Sequence, residues 1–143
     1  MEAVTVRFAT EADFKAICHF INELEEQVFD ESVQHGMFLE NIKSPDIIYL
    51  LAFAESEPVG MISCHIQNLM HHSGKVGEIQ EMFVSESARS LGVGKKLLTR
   101  IKEIAEERNL KQLEVTSRLK REAAHRFYER EGFNFTHKKF TFY

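Results

Sequence analysis

Little in this chain bends it, crosslinks it or charges it strongly. It has only two prolines, Pro45 and Pro58, and no repeat, low-complexity tract or linker, so its 143 residues are expected to form one domain, 1–143. That length suffices for a real core. Two cysteines, Cys18 and Cys64, stand far apart without a metal-ligand spacing; both read as reduced core thiols of a cytoplasmic protein. Basic residues number 18 against 22 acidic ones, a net charge of −4, which leaves no basic footprint for nucleic acid. The longest apolar run, Ile47 to Ala54, is far too short to cross a bilayer. Met1-Glu2-Ala3-Val4 lacks the charged start and apolar core of a secretory leader. With 43% hydrophobic and 28% charged residues, the composition is that of a soluble globular protein.

What is present centres on residues 78–95. Glu78-Ile79-Gln80-Glu81-Met82-Phe83-Val84 is rich in β-branched and aromatic types and predicts a strand. After a short polar loop, Arg89-Ser90-Leu91-Gly92-Val93-Gly94-Lys95 opens an amphipathic helix, with Val93, Leu97, Leu98, Ile101, Ile104 and Ala105 at helical spacing. The two glycines let backbone approach a ligand closely. The free N–H groups and positive end of the helix then face an anion, so the turn suits a phosphate or pyrophosphate. It is not a P-loop, because Lys96 stands where Ser or Thr is needed and no glycine precedes at the right distance. Nor is it a dinucleotide fingerprint, because Leu97 replaces the third glycine.

Arg-x-x-Gly-x-Gly, after a strand bearing Glu78 ahead of its final Val84, resembles the acetyl-coenzyme A motif of the GNAT superfamily of N-acetyltransferases. A second stretch, Ala124-His125-Arg126-Phe127-Tyr128-Glu129-Arg130-Glu131-Gly132-Phe133, is similar to the family's Ala-x-x-Phe-Tyr-x-x-x-Gly-Phe signature and follows at the expected distance. The departures are Glu86, where the family often has proline, Ser90, where it often has glycine or arginine, and Arg121, where it often has asparagine. A closer resemblance covers nearly the whole chain. Phe29-Asp30, His71-His72, Gly77 to Glu81, Lys120-Arg121 and Ala124 to Tyr128 are similar to the bacterial aminoalkylphosphonate N-acetyltransferases, which implies a small aminoalkyl phosphonic acid as acceptor.

The rest of the pattern agrees with an α/β chain. Val4, Val6 and Phe8 alternate as a first strand, and Thr10 with Asp13 suits a helix N-cap ahead of Phe14, Ile17, Phe20, Ile21 and Leu24. Asp30 or Ser32 starts a second helix through Met37, Leu39 and Ile42, ending before Pro45. Residues 47–54 predict a strand buried on both faces. Glu55 to Pro58 is a turn, and Val59 to Leu69 returns, with Gly60 marking a bulge or close packing. His71 to Gly74 turns into the strand bearing Glu78. The glycine-turn helix runs to about Arg108, with Asn109 a left-handed stop. Gln112 to Ser117 predicts a strand, Lys120 to Glu131 a helix ended by Gly132, and Phe133 to Tyr143 a last strand or hairpin. The order is β-α-α-β-β-β-α-β-α-β, and the resemblance implies the GNAT fold: a mixed, mostly antiparallel twisted sheet with helices on both faces.

Amine acetylation needs a free amine, a positioned thioester and a proton for the leaving thiolate. The resemblance gives Glu78 the role of general base, usually acting through a water, and Tyr128 the role of acid aimed at the coenzyme sulfur. A tyrosine with a reference pKa of about 10 stays protonated at neutral pH, against about 8.5 for a thiol. Glu81 is the rival base. Simple alternation puts it on the face opposite Glu78, unless the bulge that the family carries in this strand intervenes. The resemblance also places coenzyme contacts at Met82, Phe83 and Val84, with backbone N–H groups near Phe83 and Val84 polarising the thioester carbonyl. Further contacts fall on Arg89, Ser90, Leu91, Gly92, Val93, Gly94, Lys95 and Arg121. His71 and His72 could serve a divalent metal with Glu78, but loop histidines are more often solvated, so a metal is left open and none is expected. His65 alternates with apolar neighbours and reads as structural. Arg118, Lys120 and Arg121 cluster where they could meet a phosphonate or the coenzyme phosphates. The expected donor is acetyl-CoA and the expected partner a small-molecule amine, without nucleic acid or membrane; a homodimer stays open. The alternatives are another small amine, a peptide amine, or a non-catalytic acyl-CoA sensor, which would be expected to have lost Glu78 or Tyr128.

Overall fold

The computed structural model describes residues 3–143; Met1 and Glu2, where the leader reading begins, lie outside the described residues. The elements run β1 (Val4–Phe8), α1 (Phe14–Glu25), α2 (Glu31–Ile42), β2 (Ile47–Ala54), β3 (Glu57–Leu69), β4 (Gly74–Val84), α3 (Val93–Glu107), β5 (Gln112–Val115) and α4 (Glu122–Arg130). The strands form one sheet in chain order, β1-β2-β3-β4-β5. Every pair is antiparallel except β4 with β5, which is parallel. No described helix is long and apolar enough to cross a membrane.

The two-sided burial expected of residues 47–54 explains the layering. Ile48, Leu50, Ala52 and Ala54 face a cluster built with Leu97, Leu98 and Ile101 of α3. Tyr49 and Leu51, between them in sequence, face a second cluster with Phe14, Ile17 and Phe20 of α1 and Phe38 of α2. Period-two alternation thus sends successive apolar side chains into opposite cores, with helices on both faces of the sheet. In α2 the buried residue is Phe38 rather than Met37, which is exposed. The Phe38 ring packs between Phe14 and Tyr49, at 5.9 and 5.2 Å.

Local signals act as their chemistry dictates. The Asp13 carboxylate accepts from the Thr10 backbone N–H at 2.7 Å, and the Asp30 carboxylate caps α2 by accepting from the Val33 N–H at 3.0 Å. The β2–β3 hairpin is tighter than the sequence suggests: Glu55 and Ser56 alone form its loop, both at positive φ (49° and 71°), as two-residue hairpins with the native twist require. Pairing shifts from Ala52↔Gly60 to Phe53↔Pro58, leaving Val59 as an extra residue and Pro58 at a bulge. Gly60 also allows close packing, since a Cβ there would meet the Phe83 carbonyl at 2.8 Å. Asn109 is left-handed, with φ 55°. Gly132 (φ 97°) ends α4 while the Phe133 N–H returns to the Tyr128 carbonyl at 3.0 Å.

One expected element is absent among the described residues. The stretch from Phe133 to Tyr143 forms no strand, and residues 134–143 are all exposed. A strand exists only through hydrogen bonds to a neighbour, and this segment makes none to the sheet.

Candidate active site

The site is built on the changing partnership of β4. Its first half pairs on both sides, with β3 and, over Val76 to Ile79, with β5. At Gln80 the pairing with β3 slips, from Cys64↔Ile79 to Ser63↔Glu81, which leaves Gln80 as a bulge. Beyond it, Glu81 to Val84 pair with β3 alone. The outer backbone groups of that half are free to bond a ligand in the manner of an added strand.

The bulge decides the question that alternation left open. Cys64 and Ile79 point into the α3-side core, so their neighbours His65 and Glu78 lie on the opposite face. Past the bulge, Glu81 pairs with Ser63, two residues from His65 and on that same face. Glu78 and Glu81 therefore share the face covered by α1 and α2. The Glu81 carboxylate accepts from the Ser63 hydroxyl, and the Ser63 oxygen accepts from the Glu81 N–H at 3.0 Å. Ser63 is fully buried, the one polar residue in the core among the described residues. Its antiparallel partner Tyr49 receives a bond from Asn41 at 2.9 Å, and burial first, then the Glu81 charge, push the Tyr49 hydroxyl's pKa up. Glu78 accepts from the Thr116 hydroxyl at 3.3 Å and stands in register between His65 and Glu114. Sequence reading missed Ser63, Tyr49, Asn41 and Thr116. The available signal was a lone serine within the apolar β3 run, but which face it takes depends on a register the sequence does not display.

On the other side of β4, Met82 and Phe127 pack with the α3 core. The Tyr128 hydroxyl reaches the Met82 sulfur at 3.7 Å, so it stands beside the singly paired half of the strand. Burial raises its pKa, with Arg121 acting in the opposite direction, and the phenol stays protonated at neutral pH. Phe83 points the other way, with its ring 5.7 Å from Phe20 of α1.

The glycine turn lies just beyond. A 3₁₀ turn over Glu86–Leu91, carrying Arg89 and Ser90, leads to Gly92 in the left-handed region (φ 73°), from which α3 starts at Val93 with no side-chain cap. The first intrahelical bond in this turn runs from the Lys96 N–H to the Gly92 carbonyl, at 3.1 Å, so the N–H groups of Val93, Gly94 and Lys95 have no helical acceptor. A Cβ on Gly92 would meet nothing within 4 Å, whereas one on Gly94 would meet Met82 Cε at 3.1 Å and the Phe127 ring at 3.4 Å. Gly92 is thus required by its backbone angle and Gly94 by the packing beneath Tyr128. Arg89 Nε donates to the Val84 carbonyl at 3.3 Å, tying the turn to the end of β4.

Two of the cations singled out in the sequence are already partnered. Arg121 donates to the Leu24 carbonyl at 2.6 Å and Arg118 to the Glu25 carboxylate at 2.6 Å, so both dock on the C-terminal end of α1. Lys120 is exposed. The His71 and His72 ring centroids lie 4.4 Å apart with their planes tilted by 54°, and His72 lies 3.9 Å from Glu114. Cys18 and Cys64 are free and buried, and burial above all pushes the Cys64 thiol up to about 12.

Residues 16–133 match the Acetyltransferase (GNAT) family. The chain is 36% identical over 141 residues to the aminoalkylphosphonate N-acetyltransferase of Salmonella typhimurium, covering 99% of this chain and 92% of that protein. A transcriptional regulator from Bacillus halodurans superposes with a TM-score of 0.91 at 25% identity, over 99% of both chains. An aminoglycoside N-acetyltransferase in complex with CoA superposes with a TM-score of 0.90 at 14% identity, over 100% of this chain and 95% of that one, a likeness of fold alone. With the family matched from residue 16 to 133 and a 36% identical acetyltransferase spanning 99% of it, the chain belongs to the GNAT acetyltransferase family and is an acetyl-CoA-dependent N-acetyltransferase.

Proposed function

We propose that this enzyme moves the acetyl group of acetyl-CoA to the primary amine of a small aminoalkylphosphonate by direct attack on the thioester. The observation that carries the chemistry is the bulge at Gln80, which gathers Glu78 and Glu81 on one face of β4 while Tyr128 approaches from the other. The pyrophosphate lies on the helix start formed by Arg89 to Lys95, with Gly92 keeping the approach open. The pantetheine runs along the singly paired half of β4, and an N–H near Phe83 or Val84 bonds the thioester oxygen, where charge gathers in the transition state. Glu78, through a water, takes the proton the ammonium must lose before attack. The amine nitrogen then bonds the carbonyl carbon, the C–S bond breaks, the thiolate leaves with the Tyr128 proton, and the second proton lost by the nitrogen as the amide forms restores the phenol. Glu81, fixed by Ser63, sets the field around the amine. Arg121, held by Leu24, contributes to the coenzyme side through the position of α4 rather than by direct contact.

The phosphonate acceptor rests on the nearly full-length resemblance to the Salmonella enzyme and on the cations at the end of α1. Arg118 is exposed enough to exchange Glu25 for a ligand anion, and Lys120 stands beside it. An anion held there fixes the amine at one distance from the thioester, so attack becomes effectively intramolecular. The buried thiols Cys18 and Cys64 fit a reducing, cytoplasmic location, and the shared sheet supports a single catalytic domain. The test is a competition assay of CoA thiol release with aminoethylphosphonate, an alkylamine of equal length, a polyamine and a peptide amine. Preference for the phosphonate is expected. Preference for the polyamine, or activity on peptide N-termini alone, would replace the acceptor and leave the acetyltransferase intact.

A further inference from the structure

Ile79 and Met82 both pack toward α3, although residues three apart in a regular strand face opposite ways. One extra residue must therefore lie between them, and two pairings supply it. Either Gln80 is extra and Glu81 stands opposite Ser63, or Glu81 is extra and Gln80 stands there. Both keep Cys64 opposite Ile79 and Ile62 opposite Met82, so the apolar core does not distinguish them. The structure takes the first.

Desolvation alone favours the second. Gln80 is exposed and Glu81 is half-buried, yet an amide is cheaper to bury than a carboxylate. No cation pairs with Glu81 among the described residues, and its charge bears on the buried Tyr49 hydroxyl. What offsets this is Ser63, fully buried between Ile62 and Cys64. Its oxygen makes two bonds to one residue: the hydroxyl donates to the Glu81 carboxylate, and the same oxygen accepts the Glu81 N–H at 3.0 Å. A hydrogen bond to an ionised acceptor is roughly twice as strong as one to a neutral amide, so the same serine would hold Gln80 less firmly. The buried hydroxyl thus discriminates between the two side chains that the ladder could bring to it.

We propose that Ser63 is a positioning residue that selects the register of β4: its hydroxyl makes Gln80 the extra residue and so sets a carboxylate, in place of an amide, on the acceptor side of the strand. The inference rests on the acetyl-transfer reading above, in which Glu78 and Glu81 share that side. Without the hydroxyl the two pairings come close in stability, and Gln80 competes for the place of Glu81.

Nuclear Overhauser contacts across the β3–β4 ladder read the register directly, and kcat/KM with aminoethylphosphonate reads its consequence. In the wild type, residue 63 is expected to contact residue 81 and not residue 80. In Ser63→Ala a second set of contacts, 63 to 80, is expected, and kcat/KM falls by about tenfold or more. Adding Gln80→Glu to Ser63→Ala is expected to recover most of that loss, because either register then presents a carboxylate; plain damage to the core would not be repaired this way. Ser63→Thr, which keeps the hydroxyl, is expected to hold the single register. Glu81→Gln reads the same choice with Ser63 intact: like side chains at 80 and 81 are expected to give both sets of contacts. Contacts confined to 63–81 in both Ser63→Ala and Glu81→Gln overturn the proposal, as does a Ser63→Ala loss that Gln80→Glu leaves unrepaired. Contacts that shift while kcat/KM stays at the wild-type value would instead remove Glu81 from the acceptor site and leave the register selection standing.

Discussion

The two halves of β4 are made of similar residues and do different work. From Gly74 to Ile79 the strand is held on both sides, and its inward residues, Val76 and Ile79, are buried as structure. From Glu81 to Val84 it is held on one side, and every residue there is only half-buried. A single extra residue, Gln80, separates the two halves. It turns a core strand into an open ladder and brings two carboxylates to one face that strict alternation would have kept apart. The paired half supplies rigidity, and the open half supplies unsatisfied backbone in a place where a ligand can use it.

Substitutions around each half should therefore report in different ways. The proposed mechanism gives Tyr128→Phe, beside the open half, a large effect on turnover: kcat falls about 10²-fold while acetyl-CoA affinity and melting temperature stay close to wild type, since in that mechanism the hydroxyl matters as charge develops on sulfur. Steady-state kinetics with calorimetry check this. Gly77→Val, in the paired half, should do the reverse. A Cβ there meets Leu110 Cδ1 at 2.9 Å and the Cys64 sulfur at 3.1 Å, so overpacking costs about 2 kcal/mol in a denaturant titration. The protein that remains folded keeps its kcat. The smallest effect is a silence: with its thiol pushed up to about 12, Cys64 opposite Ile79 should resist iodoacetamide through mildly alkaline pH, and unfolding should expose it to labelling by mass spectrometry.

Much of this was legible in the chain. The two-sided burial of residues 47–54, the left-handed stop at Asn109, the Gly132 break and the glycine turn all follow from local chemistry, because each is decided by neighbours in sequence. What escaped depends on register. Ser63 meets Glu81 only because Gln80 is extra, and nothing in Glu78-Ile79-Gln80-Glu81 marks which residue bulges. Arg118 and Arg121 read as anion binders, and that their side chains also reach acceptors on α1, Glu25 and Leu24, could not be read locally because those residues lie far away in sequence. Residues 134–143 have the aromatic content of a strand but pair with no strand among the described residues, and composition cannot supply a partner.

In the proposed mechanism the bulge delivers Glu78 as the base and Glu81, held by Ser63, as its neighbour. The most direct measurement is the pH profile of kcat/KM for wild type, Glu78→Gln and Glu81→Gln with one acceptor. Glu78→Gln should lower kcat/KM by about 10²-fold or more and erase the acidic limb, while Glu81→Gln keeps the limb and shifts its position. Loss of the limb in Glu81→Gln with its retention in Glu78→Gln would contradict the account and move the base to Glu81.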